Sequence, residues 1–183
     1  MKVGIYGGSF NPVHFGHVGL AKWVIEHTDL DELWLLVSPN NPLKPAGVLA
    51  PEEERLAAVQ QAIRDIPHLK ASDFEFSLPR PSYTANTLRA LQQAYPEHDF
   101  TLVIGEDNIA IFDQWREYEY ILENFRIFVY PRKGSLSTFH TFRSFSKGDK
   151  NFQLSTIKEV RFLKNAPLYN ISSTAIRHSQ GRP

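Results

Sequence analysis

Cysteine is absent from this chain of 183 residues, which excludes disulfides, thiolate metal sites and cysteine nucleophiles. Net charge is absent as well, because 20 lysines and arginines balance 20 aspartates and glutamates. No overall electrostatic field would therefore draw the protein to nucleic acid or to acidic membranes. Long apolar runs and the charged and apolar regions of a signal peptide are also missing. We therefore expect a cytoplasmic protein with neither nucleic acid nor a membrane as its partner.

Core-forming residues, in contrast, are plentiful. Hydrophobic residues make up 42% of the chain and aromatic residues 13%, which is typical of a packed globular protein. The length allows one substantial core and is short for two independent ones. We therefore expect a single domain over residues 1–183, with a distinct C-terminal part from about residue 155.

Strand and helix signals alternate along the chain. Apolar runs of strand length lie at 3–6, 32–37, 69–76, 100–105, 126–130 and 160–163. Helix signals lie between them, at 18–25, after Pro51, after a capping Thr84, on both sides of Trp115 and at 171–177. This alternation predicts an α/β fold with a doubly wound, mostly parallel sheet and helices on both faces. The stretch 134–153 has no clear period and predicts a long surface loop.

The most informative stretch is GGSFNPVHFGH, which joins the first strand to the first helix. Gly7 and Gly8 would let the backbone turn tightly and approach a ligand, and Ser9 adds a hydroxyl donor. His14 and His17 lie within one turn of the helix start, where unpaired backbone N–H groups favour an anion. The stretch therefore predicts a phosphate site. A metal site is less favoured, because no third ligand of suitable type lies nearby.

Three segments follow the carboxyl ends of predicted strands, at Gly7, at Asn40 and at Gly105. Ligands of parallel α/β sheets bind beyond this edge, where the strand order reverses. We therefore expect these three segments to converge on one site.

The opening stretch resembles the HxGH signature of the nucleotidylyltransferase superfamily, and in full the start of the bacterial nicotinate mononucleotide adenylyltransferases. Three further blocks are similar to that family in the same order: SYTANTL at 82–88, IGEDN at 104–108 with Trp115 downstream, and ISSTAIR at 171–177. Together the blocks span nearly the whole chain. The resemblance implies a Rossmann-like fold of the nucleotidylyltransferase type.

The resemblance also implies a reaction. The 5′-phosphate of nicotinate mononucleotide would attack the α-phosphorus of ATP, giving nicotinate adenine dinucleotide and pyrophosphate in NAD biosynthesis. No covalent enzyme intermediate is implied, so catalysis would consist of positioning and charge stabilisation. Mg²⁺ would assist as a cofactor bound through the ATP phosphates, with no metal ligand from the protein itself.

Site residues follow from the resemblance, block by block. It implies catalytic roles for His14, His17, Lys44 and Arg177. It implies that ATP is bound by Gly7, Gly8, Ser9, Phe10, His14, His17, Gly105, Asp107, Ser172, Ser173, Thr174 and Arg177. It implies that the acceptor nucleotide is bound by Asn40, Lys44, Tyr83, Thr84, Asn108, Trp115 and Arg116, with the tryptophan as a platform for the pyridine ring.

Several of these residues also have a plain structural interpretation. The 171–177 block could be an ordinary capped helix with an exposed Arg177, Trp115 could be a packing residue, and Lys44 could be a solvated surface side chain. Two positions depart from the family pattern, Leu43 where a histidine is usual and Asn11 where many relatives have aspartate. Asparagine keeps a turn-capping side chain, so we expect the turn to survive.

Other functions remain open from the sequence. The acceptor could be nicotinamide mononucleotide, phosphopantetheine or a polyol phosphate, and a non-catalytic nucleotide-binding module is a further alternative. A dinucleotide-dependent dehydrogenase is disfavoured, because the glycine turn lacks the three-glycine fingerprint and its acidic ribose ligand. A homo-oligomer also stays open.

Overall fold

The computed structural model describes residues 1–39, 49–132, 156–169, 171 and 173–179. Within them lie six strands, which are β1 (Lys2–Gly8), β2 (Glu32–Val37), β3 (Leu69–Ser72), β4 (Asp99–Gly105), β5 (Arg126–Tyr130) and β6 (Glu159–Phe162). The helices are α1 (Phe15–His27), α2 (Glu52–Ile63), α3 (Thr84–Ala94), α4 (Glu106–Ile109), α5 (Tyr118–Asn124) and α6 (Ser173–Ser179). Two 3₁₀ turns lie at Phe74–Ser77 and Phe112–Gln114.

The six strands form one sheet in the order β3-β2-β1-β4-β5-β6, and every neighbouring pair is parallel. β5 is buried along its whole length and β2 along nearly all of it, which explains their continuous apolar runs. The chain builds outward from β1 to β3 and then returns to place β4 on the other side of β1. The carboxyl ends of β1 and β4 therefore flank the point where the order reverses. The predicted doubly wound α/β fold is confirmed.

The core lies on both faces of the sheet because neighbouring strand residues point to opposite sides. One cluster joins Val3 and Ile5 of β1 to Leu88 and Leu91 of α3. The other includes Tyr6, from the same strand, with the buried faces of α1 and α2. The helices thus cover both faces, and the carboxyl edge of the sheet stays at one end of the molecule.

Three local predictions were wrong. The strand predicted for 69–76 ends at Ser72, because its hydroxyl accepts the N–H of Phe74 at 3.3 Å and the chain enters a 3₁₀ turn. Thr84 does not cap α3; Tyr83 holds the cap position and Thr84 is already helical. The glycines of the opening motif do not make its turn, because both belong to β1 and the positive φ of 44° falls on Phe10.

The surface loop predicted at 134–153 lies outside the described residues. No helix in the described part of the chain is long and apolar enough to cross a membrane.

Candidate active site

The two histidines of the opening motif sit where α1 begins. His14 occupies the N-cap position with extended backbone angles, and His17 follows one turn later. Their rings are stacked, with centroids 3.7 Å apart and planes inclined by 22°. Nδ1 of His17 accepts the backbone N–H of His14 at 3.3 Å. In the neutral ring this contact places the His17 proton on Nε2.

The residues before the histidines fix this pair. Phe10 is 2% exposed, and its ring meets the His17 ring edge-on at a centroid distance of 5.1 Å. A Cβ at Gly8 would lie 3.1 Å from the Phe10 ring, so glycine at this position makes room for the phenylalanine. A Cβ at Gly7 would meet no described atom within 4 Å, which leaves the end of β1 open to a ligand.

His14 is held in its neutral form. Burial lowers the pKa of its imidazole, and the nearby positive charge of Arg132 lowers it further. Nδ1 of His14 is buried and has no hydrogen-bond partner among the described residues. A neutral, partly unsatisfied imidazole at a helix start can act as a hydrogen-bonding partner of a phosphate without first losing a proton.

Arg132 is a cationic residue that the sequence reasoning missed. It lies just beyond β5, where its Nη2 donates to the Tyr130 hydroxyl at 3.1 Å and its Nε lies 3.5 Å from Oδ1 of Asp107. Its backbone N–H donates to Glu106 at 3.4 Å. A Cβ at Gly105 would press on this arginine at 3.1 Å, so glycine there leaves space for the arginine–aspartate pair. Its position after a buried strand, like that of the other site segments, was the available signal.

A buried tyrosine pair lies beneath this arginine. Tyr6 of β1 and Tyr130 of β5 are hydrogen-bonded through their side chains, with ring centroids 5.8 Å apart. Burial raises the pKa of both phenols, so both stay protonated and neutral near pH 7. Arg132 therefore supplies the positive charge of this group, which connects β1 and β5 at the carboxyl edge and reaches α4 through Asp107.

The C-terminal block docks against the opening motif. Ser173 Oγ donates to the Pro12 carbonyl at 2.9 Å, and Nη1 of Arg177 donates to the Asn11 carbonyl at 2.6 Å. Nη2 of Arg177 reaches the Thr174 hydroxyl at 3.3 Å. Two of the four predicted residues in this block, Ser173 and Arg177, thus contact the phosphate motif. Thr174 contacts Arg177, and Ser172 lies outside the described residues.

Two glycines of α1 allow this docking. A Cβ at Gly16 would lie 2.9 Å from Ile171 and 3.0 Å from Tyr169. A Cβ at Gly19 would lie 2.6 Å from Cζ of the same tyrosine. The bare face of α1 therefore receives the segment that leads into α6.

Five of the predicted acceptor-side residues lie in the described part of the chain, and one contact joins two of them. The guanidinium of Arg116 lies over the Tyr83 ring at 5.0 Å, and Trp115 packs against Phe112 at a centroid distance of 5.0 Å. Nε1 of Trp115 is buried without a hydrogen-bond partner in the described part of the chain. Asn108 lies in α4, directly after β4, and Thr84 opens α3. Asn40 and Lys44 lie outside the described residues.

Glu75 connects α3 to the sheet edge. It is 5% exposed, accepts the Thr87 hydroxyl at 2.7 Å and is also hydrogen-bonded by the Ser38 side chain at the end of β2. Burial raises the pKa of this carboxyl. The first turn of α3 is thereby held beside the carboxyl end of β2, although the sequence pattern gave this glutamate no special role.

A parallel sheet in this order, with an anion-favouring helix start beside its switch point, defines a nucleotide-binding α/β protein. The protein-family model described as Cytidylyltransferase-like matches residues 5–179 of this chain. The chain belongs to this cytidylyltransferase-like family, which confirms the assignment made from the sequence motifs.

Individual relatives give a more specific comparison than the family model does. A protein of Flavobacterium johnsoniae is 42% identical over 98% of this chain and 86% of its own length. One of Bacteroides fragilis is 46% identical over 97% of this chain and 81% of its own. Both are named "Probable nicotinate-nucleotide adenylyltransferase". In fold, the chain is similar to the Plasmodium falciparum nicotinic acid mononucleotide adenylyltransferase complexed with NaAD. That structure has a TM-score of 0.78 at 18% identity, covering 97% of this chain and 82% of that one.

Proposed function

We propose that the protein transfers the adenylyl group of ATP to nicotinate mononucleotide, forming nicotinate adenine dinucleotide and pyrophosphate. The observation that carries this proposal is the stacked pair of His14 and His17 at the start of α1. Arg177 holds the turn before this pair through the Asn11 carbonyl, and the charge of Arg132 acts on His14. Neutral and cationic donors thus gather at one helix start, as a triphosphate requires. The names of relatives that match nearly the whole chain supply the acceptor.

The reaction balances without a covalent intermediate. An oxygen of the acceptor's 5′-phosphate attacks the α-phosphorus of ATP. The bond from that phosphorus to the bridging β-phosphate oxygen breaks, and pyrophosphate leaves with the electron pair. The phosphate nucleophile is already ionised near neutral pH, so the protein must mainly align the two phosphates and stabilise negative charge.

The residues divide this work by position. His14 and His17 would hydrogen-bond phosphoryl oxygens beside the open end of β1 at Gly7, and the backbone of Gly8 would lie next to it. Arg132 would add a fixed positive charge, since Tyr130 and Asp107 orient its guanidinium. Donors set in place before the reaction stabilise developing charge with little reorganisation.

The remaining ATP contacts surround this pair. Ser9 and Phe10 form the turn that sets the histidines. Gly105 and Asp107 would meet the adenosine at the end of β4. Ser172, Ser173, Thr174 and Arg177 would complete the triphosphate side, with Arg177 also holding the turn that carries the histidines.

The acceptor would lie toward α3 and the segment after β4. We assign its pyridine ring to a stacking contact with Trp115, and its carboxylate to the region of Tyr83, Thr84 and Arg116. Asn108 would contact the same nucleotide. Asn40 and Lys44 are proposed from the sequence resemblance, with the lysine at the acceptor or ATP phosphates.

Mg²⁺ fits this site as an ion that accompanies ATP. The acidic groups at the end of β4 are already engaged, because Asp107 pairs with Arg132 and Glu106 accepts its backbone N–H. No group of three or more histidine, aspartate or glutamate side chains that could hold a metal occurs among the described residues. When bound to phosphate oxygens, Mg²⁺ would neutralise part of the triphosphate charge and favour departure of pyrophosphate.

ATP and nicotinate mononucleotide are thus the proposed partners, and we propose the cytoplasm, with its ATP supply, as the location. A homo-oligomer stays a prediction, which sedimentation velocity of the purified protein would test.

The test of the function is pyrophosphate release in the presence of ATP and Mg²⁺. Nicotinate mononucleotide, nicotinamide mononucleotide and phosphopantetheine would be offered in parallel. The proposal predicts turnover with nicotinate mononucleotide and the highest kcat/KM for it. Turnover with phosphopantetheine alone, or with no acceptor, would contradict the proposal.

A further inference from the structure

Helix α2 buries an arginine on the face that packs against the sheet. Arg55 is 3% exposed and lies four and eight residues before Val59 and Ile63, which are also buried. Burying a guanidinium costs much free energy unless its N–H groups are all hydrogen-bonded. Helix α2, with its acidic first turn, does not need a buried arginine in order to form. The role of Arg55 must therefore be found in the contacts that its side chain makes.

Arg55 donates hydrogen bonds to four backbone carbonyls. Nη1 reaches the carbonyls of Ser9 at 2.6 Å and Ser38 at 2.8 Å. Nη2 reaches Pro39 at 3.2 Å, and Nε reaches Ala50 at 2.9 Å. Charged donors on neutral carbonyls make strong, directional bonds, and the planar fork of the guanidinium fixes their relative positions.

These carbonyls belong to separate parts of the active site. Ser9 lies in the turn between β1 and the histidine pair. Ser38 and Pro39 follow the end of β2, and Ala50 comes just before α2. The segment 40–48, which includes the predicted Lys44, lies in the sequence between two residues that Arg55 contacts.

Two further bonds link the same segments. The Ser38 N–H donates to the Gly8 carbonyl at 2.9 Å, and the Ala50 N–H donates to Oδ1 of Asn11 at 3.2 Å. The asparagine at this position, a departure from the family pattern, therefore keeps its role in the turn. Arg55 lies at the centre of these linked segments, and its positive charge strengthens the hydrogen bonds that it donates to them.

We infer that Arg55 is a positioning residue of the active site, which holds the phosphate-binding turn in register with the end of β2. Arg177 grips the Asn11 carbonyl of the same turn from the other side. The two guanidinium groups thus fix the turn through its carbonyls. His14 and His17 come directly after this turn in the chain, so their positions depend on it. Reacting groups must be placed to a fraction of an ångström, so loss of this contact reduces the rate of transfer. The inference rests on the proposed function.

Loss of a purely structural contact would lower stability without lowering kcat in the folded protein. The test therefore compares Arg55→Met with a control variant that is also destabilised. Arg55→Met removes the donors and keeps much of the side-chain volume. Val59→Ala, on the same buried face of α2, lowers stability without touching the turn. Thermal unfolding gives Tm for each, and kcat is measured with ATP and nicotinate mononucleotide at a temperature where every variant is folded. Isothermal titration with a non-hydrolysable ATP analogue adds a binding readout.

Arg55→Met is expected to lower kcat about 10²-fold and to weaken binding of the analogue, while Val59→Ala keeps both near wild type. Equal losses of kcat in the two variants, or a wild-type kcat in Arg55→Met, would overturn the inference. If Arg55→Met does not fold, Arg55→Lys decides: it keeps the charge but cannot span the four carbonyls. A reduced kcat in Arg55→Lys supports the inference, and a wild-type kcat overturns it. A wild-type enzyme that releases no pyrophosphate contradicts the proposed function instead, and the binding comparison still tests Arg55.

Discussion

At the scale of single residues, the site depends on how two imidazoles are oriented and charged. The stack of His14 on His17 would be unfavourable if both rings were protonated, since like charges 3.7 Å apart repel. Burial and the charge of Arg132 keep the pKa of His14 low, and Nδ1 of His17 accepts a backbone N–H. His14 therefore works in its neutral form.

Replacing His17 by alanine is expected to lower kcat by about 10²–10³-fold, as loss of one preorganised donor to a charged transition state typically does. The fold should persist, because most of the packing of α1 involves other residues. The matched control is His27→Ala, at the far end of α1, where the ring stacks on Trp23. Steady-state kinetics with circular dichroism checks both variants. Full activity of His17→Ala would remove this histidine from the mechanism.

Replacing Arg132 by glutamine is expected to raise the pKa of His14 toward its ordinary value, because a positive charge that disfavours the imidazolium is removed. Burial remains, so the pKa should not return fully. An NMR titration of the His14 ring measures the shift directly. Arg161→Gln, whose guanidinium pairs with Glu159 instead, is the control. An unchanged His14 pKa in Arg132→Gln would show that the two groups do not interact.

At the scale of elements, the bare face of α1 brings the C-terminal block to the phosphate motif. Tyr169 lies over Gly19 and contacts Gly16, and the chain then reaches α6, whose Arg177 meets the motif turn. Glycine within a helix weakens it relative to alanine, so its presence here is explained by the tyrosine it accommodates.

Replacing Gly19 by alanine would favour the helix intrinsically, yet we expect it to lower kcat, because the new Cβ lies 2.6 Å from Cζ of Tyr169 and forces the ring away. Displacing the ring moves the segment that leads to Arg177. A second substitution, Tyr169→Leu, makes room and should restore part of the activity in the double variant. A raised Tm with wild-type kcat in Gly19→Ala alone would contradict this explanation.

The same scale shows what the sequence could predict. β2, β4 and β5 follow directly from their apolar runs, because strands buried on both faces of a parallel sheet have no polar alternation. β3 is shorter than predicted because a single serine hydroxyl competes for a backbone N–H, which no periodicity reports. The turn of the opening motif falls on Phe10 and not on the glycines, because a buried ring fixes it from the tertiary structure.

Two of the residues that support the site were missed for a related reason. Arg55 lies on the buried stripe of α2, and its spacing from Val59 could have revealed it, but its carbonyl partners come from distant segments. Arg132 follows the end of a strand, a position where ligands of such sheets bind, but no sequence motif marks it. Asn40, Lys44 and Ser172 stay predictions, since they lie outside the described residues.

At the scale of the whole molecule, the strand order gathers segments that are far apart in sequence. β1 and β4 meet at the switch point, and α6 docks onto the turn after β1. The two core clusters pack on opposite faces of one shared sheet, so the single domain expected from the sequence predicts one cooperative unfolding transition. Differential scanning calorimetry should show one peak. Two resolved transitions would contradict a single domain. Ligand binding should raise the Tm of the whole domain, so a peak that splits when a non-hydrolysable ATP analogue is added would contradict it as well.

Adenylyl transfer is tested most directly by the product that the purified protein forms from ATP, nicotinate mononucleotide and Mg²⁺. Chromatography with mass spectrometry would identify the dinucleotide, and a coupled assay would count pyrophosphate. We expect nicotinate adenine dinucleotide and pyrophosphate in equal amounts, with formation largely abolished by His17→Ala. Pyrophosphate without the dinucleotide, or no product from the folded wild-type protein, would contradict adenylyl transfer at this site.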